Sequence, residues 1–301
     1  MSLLLRAFQA NGVDYQHGMR WLGLDRRRGI GDPDVGLLAW ALNVDADDLR
    51  ARLVVLEWRC GGRWVHLGGQ RLSRWIAPTT MMAKLCPVCL RENGIAEMSW
   101  MTRLAPACAR HGFSLMQKCG NCGKPIRWTR PCLQVCACGR FFKSSGSSGS
   151  APPNVQAWLT WVQAILQGDA TAADAALVRL PSLLHGMSLD GAYRLVEAFG
   201  LLEVASTPVR ELRHGAASLE VVGAGLARGL ERLALFTGPD DASRLPFDLV
   251  HLPILHELAE TPARDGDGQR AAWLLDIHRA TRPSGVRRVG ARPRRQLPLF
   301  L

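Results

Sequence analysis

A mainly α fold with small ribbon-like β elements is predicted by three observations. Apolar residues recur at helical spacing over Leu37–Leu53 and again through most of 154–260; eight Cys and His donors crowd 86–138 as close pairs; and a Ser/Gly run at 144–150 separates the two regions. The expected order is a helical, helix-turn-helix-like amino-terminal region (1–77), a tandem zinc-binding module (78–143), a Ser/Gly/Pro linker (144–153), an all-helical carboxy-terminal domain (154–278) and an Arg-rich tail (279–301).

In the first region, Leu37–Val44 followed by Asp45–Leu53 has the rhythm of a helix, a short turn and a second helix. Asp45 suits the N-cap of the second helix, with Asp47 and Asp48 in its positive first turn. The spacing is that of a helix-turn-helix. A DNA reader, however, points the amino end of its second helix at the bases, where two aspartates are repelled by phosphate, so the unit reads as a packing module. Between Trp58 and Trp75, glycine pairs and the alternation of Gly62–Gly68 predict a short strand or hairpin.

The module that follows is the most informative segment. Cys86-Pro-Val-Cys89, Cys108-Ala-Arg-His111 and Cys119-Gly-Asn-Cys122 each bring two donors together in one tight turn. Cys86, Cys89, Cys108 and His111 make a first zinc set. Cys119, Cys122, Cys136 and Cys138 make a second, with Cys132 an alternative to either Cys136 or Cys138. Both sets are full, whereas a catalytic zinc keeps one position open, so two structural ions are expected. Gly112, Gly123 and Gly139 directly follow ligands, where a chain turning around a metal needs positive φ. Cys60 falls outside both sets and reads as an inert thiol.

The chain is 301 residues long with 48% hydrophobic content, room for two or three domains with real cores. No segment reaches the roughly 20 apolar residues of a membrane span, and no secretory signal opens the chain, since Arg6 interrupts Leu3–Leu5. With an odd number of cysteines, nine, this points to a reducing cytoplasm.

The formal net charge of +11 is unevenly placed. Residues 78–143 hold ten basic side chains against Glu92 and Glu97, and seven arginines follow Asp276 with no acid among them. Such concentrations favour a polyanion, because neutralising phosphates releases condensed counterions. The candidate nucleic-acid contacts are Lys118, Lys124, Arg127, Arg130, Arg140 and Lys143 in the module and Arg287, Arg288, Arg292, Arg294 and Arg295 in the tail. Pro283, Pro293, Pro298, Gly285 and Gly290 make a packed helix unfavourable there and suit an arm that orders on binding. In the carboxy-terminal half, Asn154 is the expected cap of a helix carrying Val155, Trp158, Leu159, Val162, Ile165 and Leu166 on one face, and helical periodicity continues over 170–184, 188–202, 218–236 and 253–260.

The run Cys86-Pro-x-Cys89-Leu90, Trp100, Cys108-x-x-His111-Gly112-x-x-Leu115-x-x-x-Cys119-x-x-Cys122-Gly123 and Cys136-x-Cys138-Gly139 resembles the TniQ family of transposition proteins, which includes the target selector TnsD. Ser2–Arg6 with Ala10-Asn11-Gly12 is similar to that family's opening, and the resemblance extends over roughly 1–143. It implies a non-catalytic adaptor that marks an insertion site and recruits a TnsC-type AAA+ regulator, which engages a DDE transposase. Some members read a DNA attachment sequence themselves; others dock, often as homodimers, on an RNA-guided CRISPR effector. The shortness of this chain favours the second role. A TnsD-like direct DNA reader and a zinc-ribbon transcription or RNA-associated factor are the alternatives.

An enzyme is disfavoured. No Gly-x-x-x-x-Gly-Lys-Ser/Thr loop occurs. The zinc deaminase pattern fails because Gly68 stands where His66 would need its glutamate, and Pro87 lies inside the cysteine pair. His185, His214, His251, His256 and His278 lie on helical stretches and read as solvated or locally satisfied.

Overall fold

The computed structural model describes residues 2–24, 33–59, 62–73, 83–142, 150–204, 218–238, 241 and 244–281. The amino-terminal region opens with α1 (Ser2–Ala10), which buries Leu4 and Leu5, and α2 (Tyr15–Trp21), and the two meet in an edge-to-face contact of Phe8 with Tyr15. Asp14 caps α2 by accepting from the backbone N–H groups of Gln16 and His17.

The predicted helix pair is present as α3 (Pro33–Leu42) and α4 (Ala46–Arg52). Asn43, at φ 50°, turns the chain between them, and the Asp45 carboxylate accepts from Asp47 N–H at 2.8 Å and Asp48 N–H at 3.0 Å. Val35, Leu38 and Leu49 are buried, which is what a packing module requires.

The predicted hairpin is a three-stranded antiparallel sheet in the order β1 (Val55–Arg59), β2 (Gly62–Leu67), β3 (Gln70–Ser73). Its register pairs Glu57 with Trp64 and Val65 with Leu72. The two-residue turn at Gly68 and Gly69 has positive φ at both positions, the geometry that matches strand twist. A Cβ on Gly68 would come within 2.5 Å of the Leu166 carbonyl oxygen, so the turn tip sits against the next helical layer.

The cysteine-rich module carries α5 (Pro87–Asn93) and a short 3-10 turn at Met98–Met101, and is otherwise built from knuckles and isolated bridges, Leu85 to Met116 and Lys118 to Pro125 among them. Beyond the Ser/Gly segment come α6 (Pro153–Gln167), α7 (Ala170–Leu177), α8 (Leu189–Gly200), α9 (Leu219–Leu233), α10 (Leu252–Glu260) and α11 (Asp265–Thr281). Asn154 is not the cap of α6. The helix starts at Pro153, two residues before such a cap would allow, and the missing proline N–H costs nothing in the first turn, while Asn154 Oδ1 faces the Val155 N–H. α8 is the hub, buried on all sides and touched by α9, α10, α11 and β3.

Buried polar contacts join the halves. Trp158 of α6 is fully buried and donates its indole N–H to the Leu104 carbonyl at 3.0 Å. Asp190 of α8, also fully buried, accepts from the Ser73 N–H at 2.6 Å and faces Arg194, 3.5 Å away. Burial pushes the Asp190 carboxyl up, against the pull of Ser73 and Arg194. Residues on both sides of the linker belong to one buried cluster. Among the described residues no helix is long and apolar enough to cross a membrane.

Candidate metal centres and basic surface

The first donor set is assembled by α5 and one knuckle. Cys86 stands at the N-cap of α5 with Pro87 in the first turn, and Cys89 follows one helical turn on. Opposite, the Gly112 N–H donates to the Cys108 carbonyl at 2.8 Å, and Gly112 at φ 71° closes the turn that presents Cys108 and His111. His111 Nδ1 lies 3.5, 3.2 and 3.6 Å from the sulfurs of Cys86, Cys89 and Cys108. Its other ring nitrogen, Nε2, is 3.3 Å from the Glu92 carboxylate, the carboxylate-to-imidazole arrangement that fixes a metal-binding tautomer.

The second set uses two knuckles. The Gly123 N–H donates to the Cys119 carbonyl and the Gly139 N–H to the Cys136 carbonyl, at 2.8 and 2.9 Å, with both glycines at positive φ as expected. Cys119 Sγ is 4.0 Å from Cys138 Sγ, and Cys122 Sγ is 3.9 Å from Cys136 Sγ. In each set all four donor atoms lie within 4.8 Å of one another. Cys132 stands outside: Cys136 and Cys138 complete the second group.

These distances fit a tetrahedral ion. Metal–sulfur bonds of about 2.3 Å and metal–nitrogen bonds of about 2.05 Å imply sulfur–sulfur edges near ~3.8 Å and sulfur–nitrogen edges near ~3.6 Å. The chemistry agrees. Four donors this close cannot all ionise on their own: a hydrogen bond from Cys108 draws Cys86 down to about 5, while burial pushes Cys89 up to about 12 and contact with Cys86 pushes Cys108 higher still. In the second set burial pushes Cys136 up to about 12, and the Arg140 N–H draws Cys138 down to about 7. A shared dication removes the conflict. The first set is buried apart from a partly exposed His111, and the second opens to solvent at Cys138.

The basic residues divide by exposure. Lys118, Lys124, Arg127 and Arg140 are exposed around the second knuckle pair. Lys124 and Arg127 line a cleft of about 290 Å³ shared with Cys122, Cys136 and Cys138. Arg130 departs from the expectation of a surface contact. It is only 4% exposed and donates to the carbonyls of Arg127, Cys132 and Leu133, so its fork is turned inward. Sequence alone gave no sign of this, because one arginine in a basic run looks like its neighbours. Lys143, Arg287, Arg288, Arg292, Arg294 and Arg295 lie outside the described residues, as do Cys60 and His214.

Lys84, two residues before Cys86, is buried with its amino group on the carbonyls of Thr102 and Ala105. Burial, aided by Arg103, brings it down to about 7. His66 pairs with Glu57 at 2.7 Å in the sheet, away from both donor sets.

A family model described as TniQ matches residues 1–115. The match includes all four donors of the first set and stops short of Cys119. No curated protein matches the chain.

Proposed function

We propose that this chain, whose residues 1–115 match the TniQ family model, is a TniQ-like protein of transposition that acts as a non-catalytic target-selection adaptor. It links a DNA target, through an RNA-guided CRISPR effector complex, to a TnsC-type AAA+ regulator and a DDE transposase, and works in the cytoplasm as a homodimer. The observation that carries this reading is a TniQ-matching region that contains one complete four-donor cluster and continues into a second within one buried core. Complete donor sets suit scaffolding, since neither leaves a position for substrate.

The proposed ions are zinc, held by Cys86, Cys89, Cys108 and His111 and by Cys119, Cys122, Cys136 and Cys138. Zinc would supply folding energy at each site and no chemical step. The chain's own residues do the rest: Glu92 orients His111, the knuckle glycines permit the turns, and α6 docks on the module through Trp158. Loading also alters the charge map. Two dications on seven thiolates contribute about −3, which brings the +11 of the bare chain to about +8. The exposed Lys118, Lys124, Arg127 and Arg140, with the tail arginines, are the proposed nucleic-acid contacts.

A TnsD-like reader of its own attachment site is the second reading, favoured by the helix pair α3 and α4. Asp47 and Asp48 at the amino end of α4 weigh against it, since that end would face phosphate. The test is a pull-down of the zinc-loaded chain against the AAA+ regulator and the effector complex, beside titration with bare duplex DNA at near-physiological salt. Capture by regulator and effector with weak, salt-sensitive DNA binding supports the adaptor; tight sequence-selective DNA binding without the effector refutes it.

A further inference from the structure

We infer that Arg130 is the counter-cation of the second metal cluster, balancing the charge of the tetrathiolate formed by Cys119, Cys122, Cys136 and Cys138 and holding the loop that delivers its last two ligands. This rests on the proposed metal occupancy and extends it to a residue that no ligand spacing identifies.

A dication held by four thiolates carries a net charge of about −2, and excess charge away from water is costly. Arg130 presents the converse problem. Its guanidinium is buried against the rings of Trp128 and Phe142, 5.1 and 5.6 Å from their centroids. Its hydrogen bonds go to three neutral carbonyls, at 2.7 Å to Arg127, 3.1 Å to Cys132 and 3.4 Å to Leu133. These satisfy donors and cancel no charge. The cleft that Arg130 lines contains Cys122, Cys136 and Cys138 and no acid. Burial draws the Arg130 guanidinium down to about 10, and two cysteines oppose that, Cys132 outside the cluster and Cys136 within it. A buried cation lining the same cleft as a partly buried dianion stabilises both where either alone is unfavourable. The three carbonyls also belong to the loop running from Ile126 toward Cys136, so the same side chain sets the path of the chain into the last knuckle.

The exposed neighbours differ. Lys124 and Arg127 stand in solvent at the rim of the cleft and stay available to a polyanion. The basic character of this segment thus serves two ends, one internal and one external.

The test uses the full zinc-loaded chain with Arg130→Met and Arg130→Lys, each alone and combined with Cys138→His, which keeps four donors and lowers the cluster's negative charge by one. Zinc retained per chain is followed through a chelator titration, with the first cluster as internal reference, alongside thermal melting. Arg130→Met is expected to weaken zinc at the second cluster by about 10- to 100-fold, the range for residues that support ligands, and to leave the first unchanged. Arg130→Lys, which keeps the charge but not the fork, should lose less than about tenfold. In the Cys138→His background the loss from Arg130→Met should shrink.

Equal losses for Met and Lys, or an equal loss from Met in both backgrounds, would overturn the charge-balancing role. Unchanged zinc retention in every variant would do the same. If Arg130→Met fails to fold, the Lys variant decides, with retention within about tenfold upholding the inference and a larger loss sinking it. A wild-type chain that holds no metal at the second cluster would bring down the premise itself, and is recognised before any variant is made.

Discussion

Replacing Cys89 with serine should release the first ion and loosen far more of the chain than the module. Cys89 is 1% exposed, and its sulfur lies 3.2 Å from His111 Nδ1 and 3.5 Å from Cys108 Sγ, so no solvent ligand can take its place without repacking. A serine hydroxyl does not ionise near neutrality and reaches less far. Structural zinc contributes about 10–16 kcal/mol in small domains, against a total stability of about 5–15 kcal/mol for an ordinary domain. Losing even a third of the smaller figure, about 3–4 kcal/mol, should lower the melting temperature by roughly 10 °C at this chain length. The loss travels, because the Ala151 N–H bonds to the Gly112 carbonyl at 2.9 Å, Gln156 to Ala109 and Trp158 to Leu104. The assay is zinc stoichiometry by elemental mass spectrometry with calorimetric melting, and Cys132→Ser as control. The expected pattern is lost zinc and a broad, lowered transition for Cys89→Ser, with both unchanged for Cys132→Ser. Full zinc and an unshifted melt for Cys89→Ser would refute the reasoning.

Other consequences are equally specific. Trp158→Ala should cost about 3–5 kcal/mol by urea unfolding, through a core cavity and an orphaned Leu104 carbonyl, and Trp158→Phe clearly less. Gly200→Ala places a Cβ 1.9 Å from the Gly225 carbonyl oxygen where α8 crosses α9, and should cost at least about 1–3 kcal/mol by the same measurement; a neutral result would mean the crossing is looser than described. The N–H groups of Asp48 and Asp47 hold the Asp45 carboxyl below its ordinary 3.8, so its stabilisation is present above that value and disappears as pH falls through the lowered one. Asp45→Ala should therefore melt lower than wild type at neutral pH, with the gap closing under acid conditions. Substituting both Lys124 and Arg127 with glutamine should reduce the slope of log affinity for duplex DNA against log salt by about two units. An unchanged slope removes both from the interface.

What the sequence disclosed was local. Donor pairs joined by one turn, the Asp45 cap and the stripe on α6 are encoded by neighbours a few residues apart, and the structure carries them as expected. The start of α11 was not marked by the sequence, because Asp265-Gly-Asp-Gly there looks like a turn. Its logic is tertiary: the Asp267 carboxylate accepts from the N–H and hydroxyl of Ser188, and Gly191 leaves room for it, since a Cβ there would stand 2.4 Å from Asp267 Cγ. Arg130 is a similar case, an internal side chain identified only by the three carbonyls and two rings that meet it. The Trp58–Trp75 segment showed its turns but not its third strand, because β3 is held partly from outside the sheet, by Asp190 on the Ser73 N–H.

The most direct measurement of the proposed adaptor role is mapping of insertion sites in cells supplied with this chain, a TnsC-type AAA+ regulator, a DDE transposase and an RNA-guided effector, while the guide is changed. The account predicts that insertions follow the guide, vanish without this chain, and vanish again with Cys89→Ser. Insertions that stay at one fixed attachment sequence whatever the guide, or that follow the guide in the chain's absence, would contradict it.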